Sequence, residues 1–193
     1  MDRKQFLTTL GGCCGLAAIG AEPGACAQAQ SQTPGTPCDK KYDFAQTWVK
    51  RFMNIMDAEL DPATRTRLLR MQGRACFEGA HGGAPAERPK PGDLDKFLEA
   101  VKKWGGEEMV RREGDVIHFQ YIANPAGLRV ADGWCLCPVV ERGPDGLSGT
   151  YCECSVGYVT EMFRRHSDRP VKVELLESLK RGGKGCRFRI QLA

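Results

Sequence analysis

The chain has 193 residues and a formal net charge of +4, which is enough sequence for one domain with one core. Lys and Arg are interspersed with Asp and Glu instead of forming a basic block, so the composition does not favour nucleic-acid binding. Beyond the N-terminal region, no apolar run is long enough to cross a bilayer. We therefore expect no integral membrane segment once a signal is removed.

The first 29 residues have the pattern of an export signal. Arg3 and Lys4 precede an uncharged, weakly apolar run over residues 10–20, and small residues follow at a plausible cleavage site. The pattern resembles a twin-arginine signal with lysine as the second basic residue; a lipoprotein signal ending at Cys13 is the alternative. The predicted organisation is an export signal over residues 1–29, a flexible linker over residues 30–37 and a single domain over residues 38–193, located in the periplasm or outside the cell.

The first half of this domain carries apolar residues at helical spacing. One helix is predicted over residues 44–60. A second begins at Asp61-Pro62, where the aspartate can cap the helix and proline suits its first position. After a Gly/Pro-rich loop over residues 79–92, a third helix contains residues 94–101 and ends at Gly105-Gly106.

From Met109 onwards, the apolar residues alternate, with one helical interruption. The predicted elements are a hairpin formed by residues 109–112 and 116–121, a strand over residues 133–140, a helix over residues 155–165, and a final hairpin formed by residues 171–175 and 186–192. The predicted fold class is therefore α+β, with N-terminal helices followed by an antiparallel sheet with a C-terminal helix and hairpin.

Cysteine is unusually frequent, with ten in the chain. Those after the predicted signal are Cys38, Cys76, Cys135, Cys137, Cys152, Cys154 and Cys186. Because their number is odd, they cannot all pair with one another within the chain.

The main chemical signal is Cys135-Leu136-Cys137, then fourteen residues, then Cys152-Glu153-Cys154. In extended backbone, residues two apart point to the same side, so each pair could present two sulfurs to one centre. Four thiolates suit a tetrahedral zinc ion. Two alternatives stay open, namely disulfides between the two pairs in an oxidising compartment and inert buried thiols.

The C-terminal part of the chain also resembles a known family. Its landmarks are Cys152 followed by Gly157-Tyr158, a Val-x-Val strand at residues 171–173, and a glycine turn leading into Cys186-Arg187-Phe188. Between about Trp134 and Leu192, the sequence resembles the end of 4-vinyl reductase domains, which include the sensor domains of phenol- and xylene-responsive regulators. It is also similar to bacterial proteins grouped beside amino-thiazoline-carboxylate hydrolases.

This resemblance implies an antiparallel sheet packed with helices around an apolar ligand cavity, with a structural zinc beside it. The family's zinc ligands are the Cys before Gly-Tyr, a Glu and a Cys on the next strand, and the Cys before the final Phe. Cys152 and Cys186 match the first and last of these, whereas Leu175 and Ser178 stand where the Glu and the other Cys would be. The resemblance therefore supports a metal site but leaves its ligand set incomplete.

The remaining ligands are expected from Cys154 and from one of Cys135 and Cys137. The predicted metal site, with zinc as the ion, therefore comprises Cys135, Cys137, Cys152, Cys154 and Cys186. The predicted function is an exported module that binds or senses a small apolar ligand; the alternatives are a metal-dependent hydrolase and a disulfide-linked secreted interaction protein. Cys76 with His81 is a weaker candidate for a second site or a nucleophile and base pair.

Overall fold

A computed structural model of the protein describes residues 37–80, 89–124, 127–137, 139–140 and 146–193. The predicted export signal and residues 30–36 of the predicted linker lie outside the described residues. One structural unit extends to Ala45, so its described part is the start of the first helix. The second unit, Gln46–Ala193, contains all the other described elements.

The described residues include four α-helices: α1 (Pro37–Glu59), α2 (Pro62–Ala80), α3 (Asp93–Gly105) and α4 (Glu153–Arg164). The predicted cap of α2 is confirmed, because Asp61 Oδ1 accepts hydrogen bonds from the backbone N–H groups of Ala63 and Thr64, both at 3.0 Å. The predicted end of α3 is confirmed by Gly106, whose φ of 86° interrupts the helix. None of the helices in the described part has the length and apolarity needed to span a bilayer.

The sheet contains β1 (Val110–Glu113), β2 (Val116–Gln120), β3 (Val171–Glu177) and β4 (Arg187–Leu192). Their spatial order is β1-β2-β4-β3, and every neighbouring pair is antiparallel. Both predicted hairpins are present, and the central strands β2 and β4 pair in a register that places Phe119 opposite Phe188. The predicted α+β fold class is confirmed.

The main core lies between the sheet and α4. Phe119 and Ile190 project from the sheet towards Val159 and Phe163 of α4, and all four side chains are buried. The rings of Phe119 and Phe163 meet edge to face, with centroids 5.6 Å apart. Full burial of such side chains contributes about 1.5–3 kcal/mol each, so this contact fixes α4 firmly on the sheet.

Helices α2 and α4 approach each other at two glycines. A Cβ atom at Gly73 of α2 would overlap the carbonyl oxygen of Cys154, and one at Gly157 of α4 would overlap the carbonyl oxygen of Arg70. The two backbones are therefore in direct contact, which only glycine permits at these positions. This contact sets the position of the start of α4, where Cys152 and Cys154 lie.

The predicted strand over residues 133–140 was wrong for the described part of that segment. Val130–Asp132 form a short 3-10 turn, Gly133 has a φ of 90°, and the Val140 N–H donates to the Cys137 carbonyl at 3.1 Å. The alternating apolar residues do not join the sheet, because Val140 instead packs with Met53 and its neighbours in a second buried cluster. The segment is an irregular loop, which brings Cys135 and Cys137 against α4.

Candidate metal centre

A small cavity lies where this loop meets the start of α4 and the final hairpin. Its volume of about 10 Å³ gives space for roughly one water-sized sphere. Four cysteines line it, and we refer to them as the cavity cysteines: Cys135, Cys137, Cys152 and Cys186. They come from three separate stretches of the chain, so only the tertiary fold brings them together.

Each stretch positions its cysteine through a simple local feature. Cys186 immediately precedes β4, and its carbonyl accepts a hydrogen bond from the Tyr121 N–H at 3.1 Å, which ties it to the end of β2. Cys152 ends the 3-10 turn Gly149–Cys152, directly before α4. Cys135 and Cys137 follow the left-handed Gly133. The cavity is therefore bounded by sheet, helix and loop.

Cys154, which was also predicted to be a ligand, does not line this cavity. The prediction assumed that Cys152-Glu153-Cys154 was extended, and that assumption was wrong. Cys152 belongs to a helical turn and Cys154 to α4, so their side chains point about 200° apart around the helix axis. Cys154 instead packs against the buried cluster that contains Met53.

In the weaker candidate pair of Cys76 and His81, His81 lies outside the described residues. Cys76 is exposed near the end of α2. Partial burial of its thiol, and secondarily the neighbouring Cys137, raise its pKa above the ordinary value. A raised pKa reduces the thiolate fraction and disfavours a role as an activated nucleophile.

Burial favours the neutral form of three of the cavity thiols, those of Cys135, Cys152 and Cys186. It raises the pKa of Cys135 to about 12 and also raises the pKa values of Cys152 and Cys186. A buried thiolate is costly without a compensating positive charge. A metal ion would supply that charge, and its binding would release the protons.

The turn before β4 partly offsets this cost. Among the effects that lower the pKa of Cys152, the Ser178 hydroxyl is the largest, and the Lys180 backbone amide also contributes. The Leu179 backbone amide lowers the pKa of Cys186 in the same way. Backbone amides directed at sulfur stabilise a thiolate whether or not a metal is bound, and they belong to the outer shell of a metal site.

This turn, Leu179–Arg181, is fixed to the start of α4 by charged groups. The Arg181 guanidinium forms an ion pair with Glu153 at 2.7 Å and donates to the Gly149 carbonyl at 3.1 Å. Glu153 also pairs with Arg70 of α2 at 2.9 Å. Exposed arginines limit the energy of such pairs to roughly 1 kcal/mol or less, but together these contacts position the turn beside Cys152.

Two buried hydroxyl groups on residues that line the cavity have unused hydrogen-bonding capacity. These hydroxyls belong to Tyr121 and Ser178, which are 6% and 1% exposed. Neither hydroxyl oxygen makes a hydrogen bond of standard geometry with the described residues, although Ser155 lies near Tyr121 and Cys152 lies near Ser178. A hydroxyl can both donate and accept, so each retains capacity for a further hydrogen bond beyond these neighbours.

Cys137 differs from the other cavity cysteines in having a phenol partner. Its Sγ lies 3.2 Å from the Oη atom of Tyr151, within hydrogen-bonding distance. Burial raises the pKa of Tyr151 well above its ordinary value, with Cys137 and Cys154 contributing further. Tyr151 is therefore a neutral phenol at physiological pH.

In this structure, the cavity cysteines form no disulfide bonds and are not positioned to bind a metal ion. The six cysteines whose side chains the structure describes are free, including Cys76 and Cys154. Among the described side chains, which begin at residue 43, no three from His, Cys, Asp or Glu stand close enough together to hold a metal ion. The donor set nevertheless fits zinc chemically, because it offers four soft thiols around an ion-sized space. Binding would require the sulfurs to move inwards.

We expect the metal-free protein to lose stability as the pH rises from about 9, the ordinary thiol pKa, towards 12. The folded state holds the Cys135 proton more tightly than the unfolded chain, so this stabilising contribution is complete below pH 9 and is lost as the pH rises towards the folded pKa. The loss is limited to about 1.4 kcal/mol per pH unit. Urea unfolding of the parent and of Cys135→Ala would measure it. The parent's free energy of unfolding should fall relative to that of the variant, and a constant difference would contradict the assignment.

Comparisons with known proteins give a partial family match. Residues 108–193 match a family of unknown function (DUF6144), which covers the sheet, the loop with Cys135 and Cys137, and α4. No curated protein matches the chain significantly. A trafficking protein particle complex subunit 3 from Naegleria fowleri, crystallised covalently bound to palmitic acid, aligns with a TM-score of 0.43 at 12% sequence identity, over 81% of this chain and 96% of that chain. Similarity at that level does not establish a shared fold or function.

Proposed function

We propose that this chain is an exported metal-binding module in which the cavity cysteines hold a zinc ion. The observation that carries the proposal is their convergence from three separate stretches around a space of about one water molecule. Thiolate sulfur is a preferred donor for zinc, and tetrahedral sites with cysteine ligands are common. Disulfide bonding would use the same sulfurs in pairs and would need no ion-sized space between them.

The surroundings of Cys152 and Cys186 support this proposal. These two cysteines also match the zinc ligands of 4-vinyl reductase-like domains, and the amides of Lys180 and Leu179 favour their thiolates. A zinc ion would join the start of α4, the hairpin before β4 and the loop of Cys135. Its role would therefore include stabilising the C-terminal half of the domain.

A small apolar ligand remains part of the proposal. Several residues that line the cavity are apolar, including Leu136, Leu175 and Phe188. An apolar lining is what a binding site for an apolar ligand requires. The cavity is too small for an aromatic molecule in the arrangement described, since a drug-sized ligand needs roughly 300 Å³ or more. Ligand binding would therefore require the loop of Cys135 to move away from the hairpin.

The proposal is tested by metal analysis and thiol counting on protein purified from the periplasmic fraction without chelator. We expect one zinc per chain, with cavity thiols that resist alkylation until a chelator is added. Export is tested in the same preparation, because the mature chain should lack the predicted signal. Metal-free protein with fully reactive thiols would contradict the zinc site, and paired sulfurs would favour the disulfide alternative. Uncleaved protein in the cytoplasm would contradict export.

A further inference from the structure

We propose that two copies of this chain associate through the outer edge of β3, so that their sheets form one continuous antiparallel sheet with a twofold axis at Val173. β3 is a terminal strand of the sheet, and in the described part of the chain no other strand pairs with its outer edge. Such an edge can accept a further strand from another chain. This surface is separate from the cavity, so the inference is independent of the proposed zinc site.

The hydrogen bonds between β3 and β4 determine which backbone groups face the outer edge. Residues in an antiparallel pair alternate between hydrogen-bonded and non-hydrogen-bonded positions. The Ala193 N–H donates to the Pro170 carbonyl at 2.9 Å, and the register then places Lys172 and Glu174 at hydrogen-bonded positions opposite β4. The residues whose N–H and C=O groups instead point to the outer edge are Val171, Val173 and Leu175.

The charges on β3 select one register for pairing with a second copy. Lys172 and Glu174 flank Val173 and are exposed on the same face of the strand. When Val173 lies opposite Val173 of the partner subunit, each Lys172 lies opposite the partner's Glu174, at a non-hydrogen-bonded position where side chains are closest. A shift of two residues in either direction would place two lysines or two glutamates directly opposite each other, which is destabilising.

The regular length of β3 favours the same register. A bulge between Leu175 and Glu177 interrupts the pairing with β4, so the regular edge covers residues 171–175. Val173 is the centre of this stretch, and a twofold axis there pairs all of it with its copy. The other terminal strand, β1, spans four residues and offers a shorter edge. β3 is therefore the better strand for association.

Both charged side chains are available for the contact. Lys172 has no ion-pair partner among the described residues, and Glu174 pairs with Arg189 of β4 at 2.8 Å. Because the Glu174 side chain is 52% exposed, it can also accept a hydrogen bond from the partner's Lys172. A sheet edge buries little area compared with a permanent dimer, so we expect weak association, with a Kd of about 1–100 μM.

Exchanging the charges tests the register. Lys172→Glu and Glu174→Lys should each raise the dimer Kd at least about 10-fold, because both opposite-charge contacts become like-charge contacts. An equal mixture of the two variants should recover association as a heterodimer, in which opposite charges again face each other. Sedimentation velocity over a concentration series measures this. Lys96→Glu on α3 is the matched control, since it makes the same change in charge away from β3 and should leave the Kd unchanged.

Hydrogen exchange of the parent protein gives a test that needs no variant. On association, the amides of Val171, Val173 and Leu175 should become protected, whereas those of Lys172 and Glu174 should be protected at every concentration because they bond to β4. A parent that stays monomeric up to about 500 μM, above the expected Kd range, would overturn the proposal. Dimers without this protection, or a mixture that associates no better than either variant alone, would also overturn it. If a variant does not fold, the exchange pattern decides.

Discussion

Replacing Cys152 with serine is expected to abolish tight zinc binding and to remove the stabilisation that the metal provides. A neutral hydroxyl is a much poorer zinc ligand than a thiolate, and Cys152 lies at the junction of the cavity, α4 and the turn before β4. At a zinc concentration 100 times the dissociation constant, bound metal stabilises the folded parent by about 2.7 kcal/mol. For a protein of this length, that corresponds to a decrease in melting temperature of about 5–10 °C in the variant.

Two reagents distinguish the metal from a disulfide in the parent protein. A chelator should lower the melting temperature of the parent to that of Cys152→Ser, and a mild reductant should leave it unchanged. The disulfide alternative gives the opposite result, because reduction would destabilise the parent by about 2–4 kcal/mol and a chelator would have no effect. If neither reagent changes the melting temperature, the cysteines are inert packing residues and the zinc proposal fails.

The matched control is Cys76→Ser. Cys76 is exposed on α2 and does not line the cavity, so its replacement should leave zinc content and the effect of chelator unchanged. Cys154→Ser is a second control for ligation, although loss of its packing against the second buried cluster should lower stability in the presence and absence of zinc alike. A metal-dependent loss in either control would enlarge the ligand set beyond the cavity cysteines.

The elements predicted from sequence are those whose signals are local. Asp61-Pro62 marks the start of α2 by capping, and the alternation of residues 186–192 corresponds to the buried side of β4. The same local rule failed for residues 133–140. Val140 packs in a second buried cluster and does not join the sheet. Such a tertiary contact produces no sequence pattern that distinguishes it from a strand.

The site was predictable only in part for a related reason. The spacing of Cys135, Cys137 and Cys152 indicated a thiol site, but the assumption of extended backbone included Cys154, which faces another cluster. Tyr121 and Tyr151 belong to different stretches and carry no motif, so no sequence signal linked them to the cysteines. Ser178 stands at a family ligand position in the sequence, and it places a buried hydroxyl, not a thiol, beside Cys152.

Replacing Gly157 with alanine is expected to cause a large loss of stability. The new Cβ would overlap the Arg70 carbonyl oxygen, and the obstructing atom belongs to a helix backbone and not to a flexible side chain. Helices α2 and α4 must therefore separate, at a cost at or above the roughly 1–3 kcal/mol typical of overpacking. Gly73→Ala should behave similarly, because its Cβ would overlap the Cys154 carbonyl oxygen from the opposite helix.

Gly79→Ala is the control on α2, because a Cβ there meets no described atom within 4 Å. Alanine has the better helix propensity, so this change should leave stability unchanged or raise it by up to about 1 kcal/mol. Urea unfolding of the three metal-free variants measures the contrast. Separation of α2 from α4 should also displace Cys152, so Gly157→Ala should weaken zinc binding although it removes no sulfur. A Gly157→Ala protein with the stability and zinc affinity of Gly79→Ala would show that the contact of the two helix backbones does not position the site.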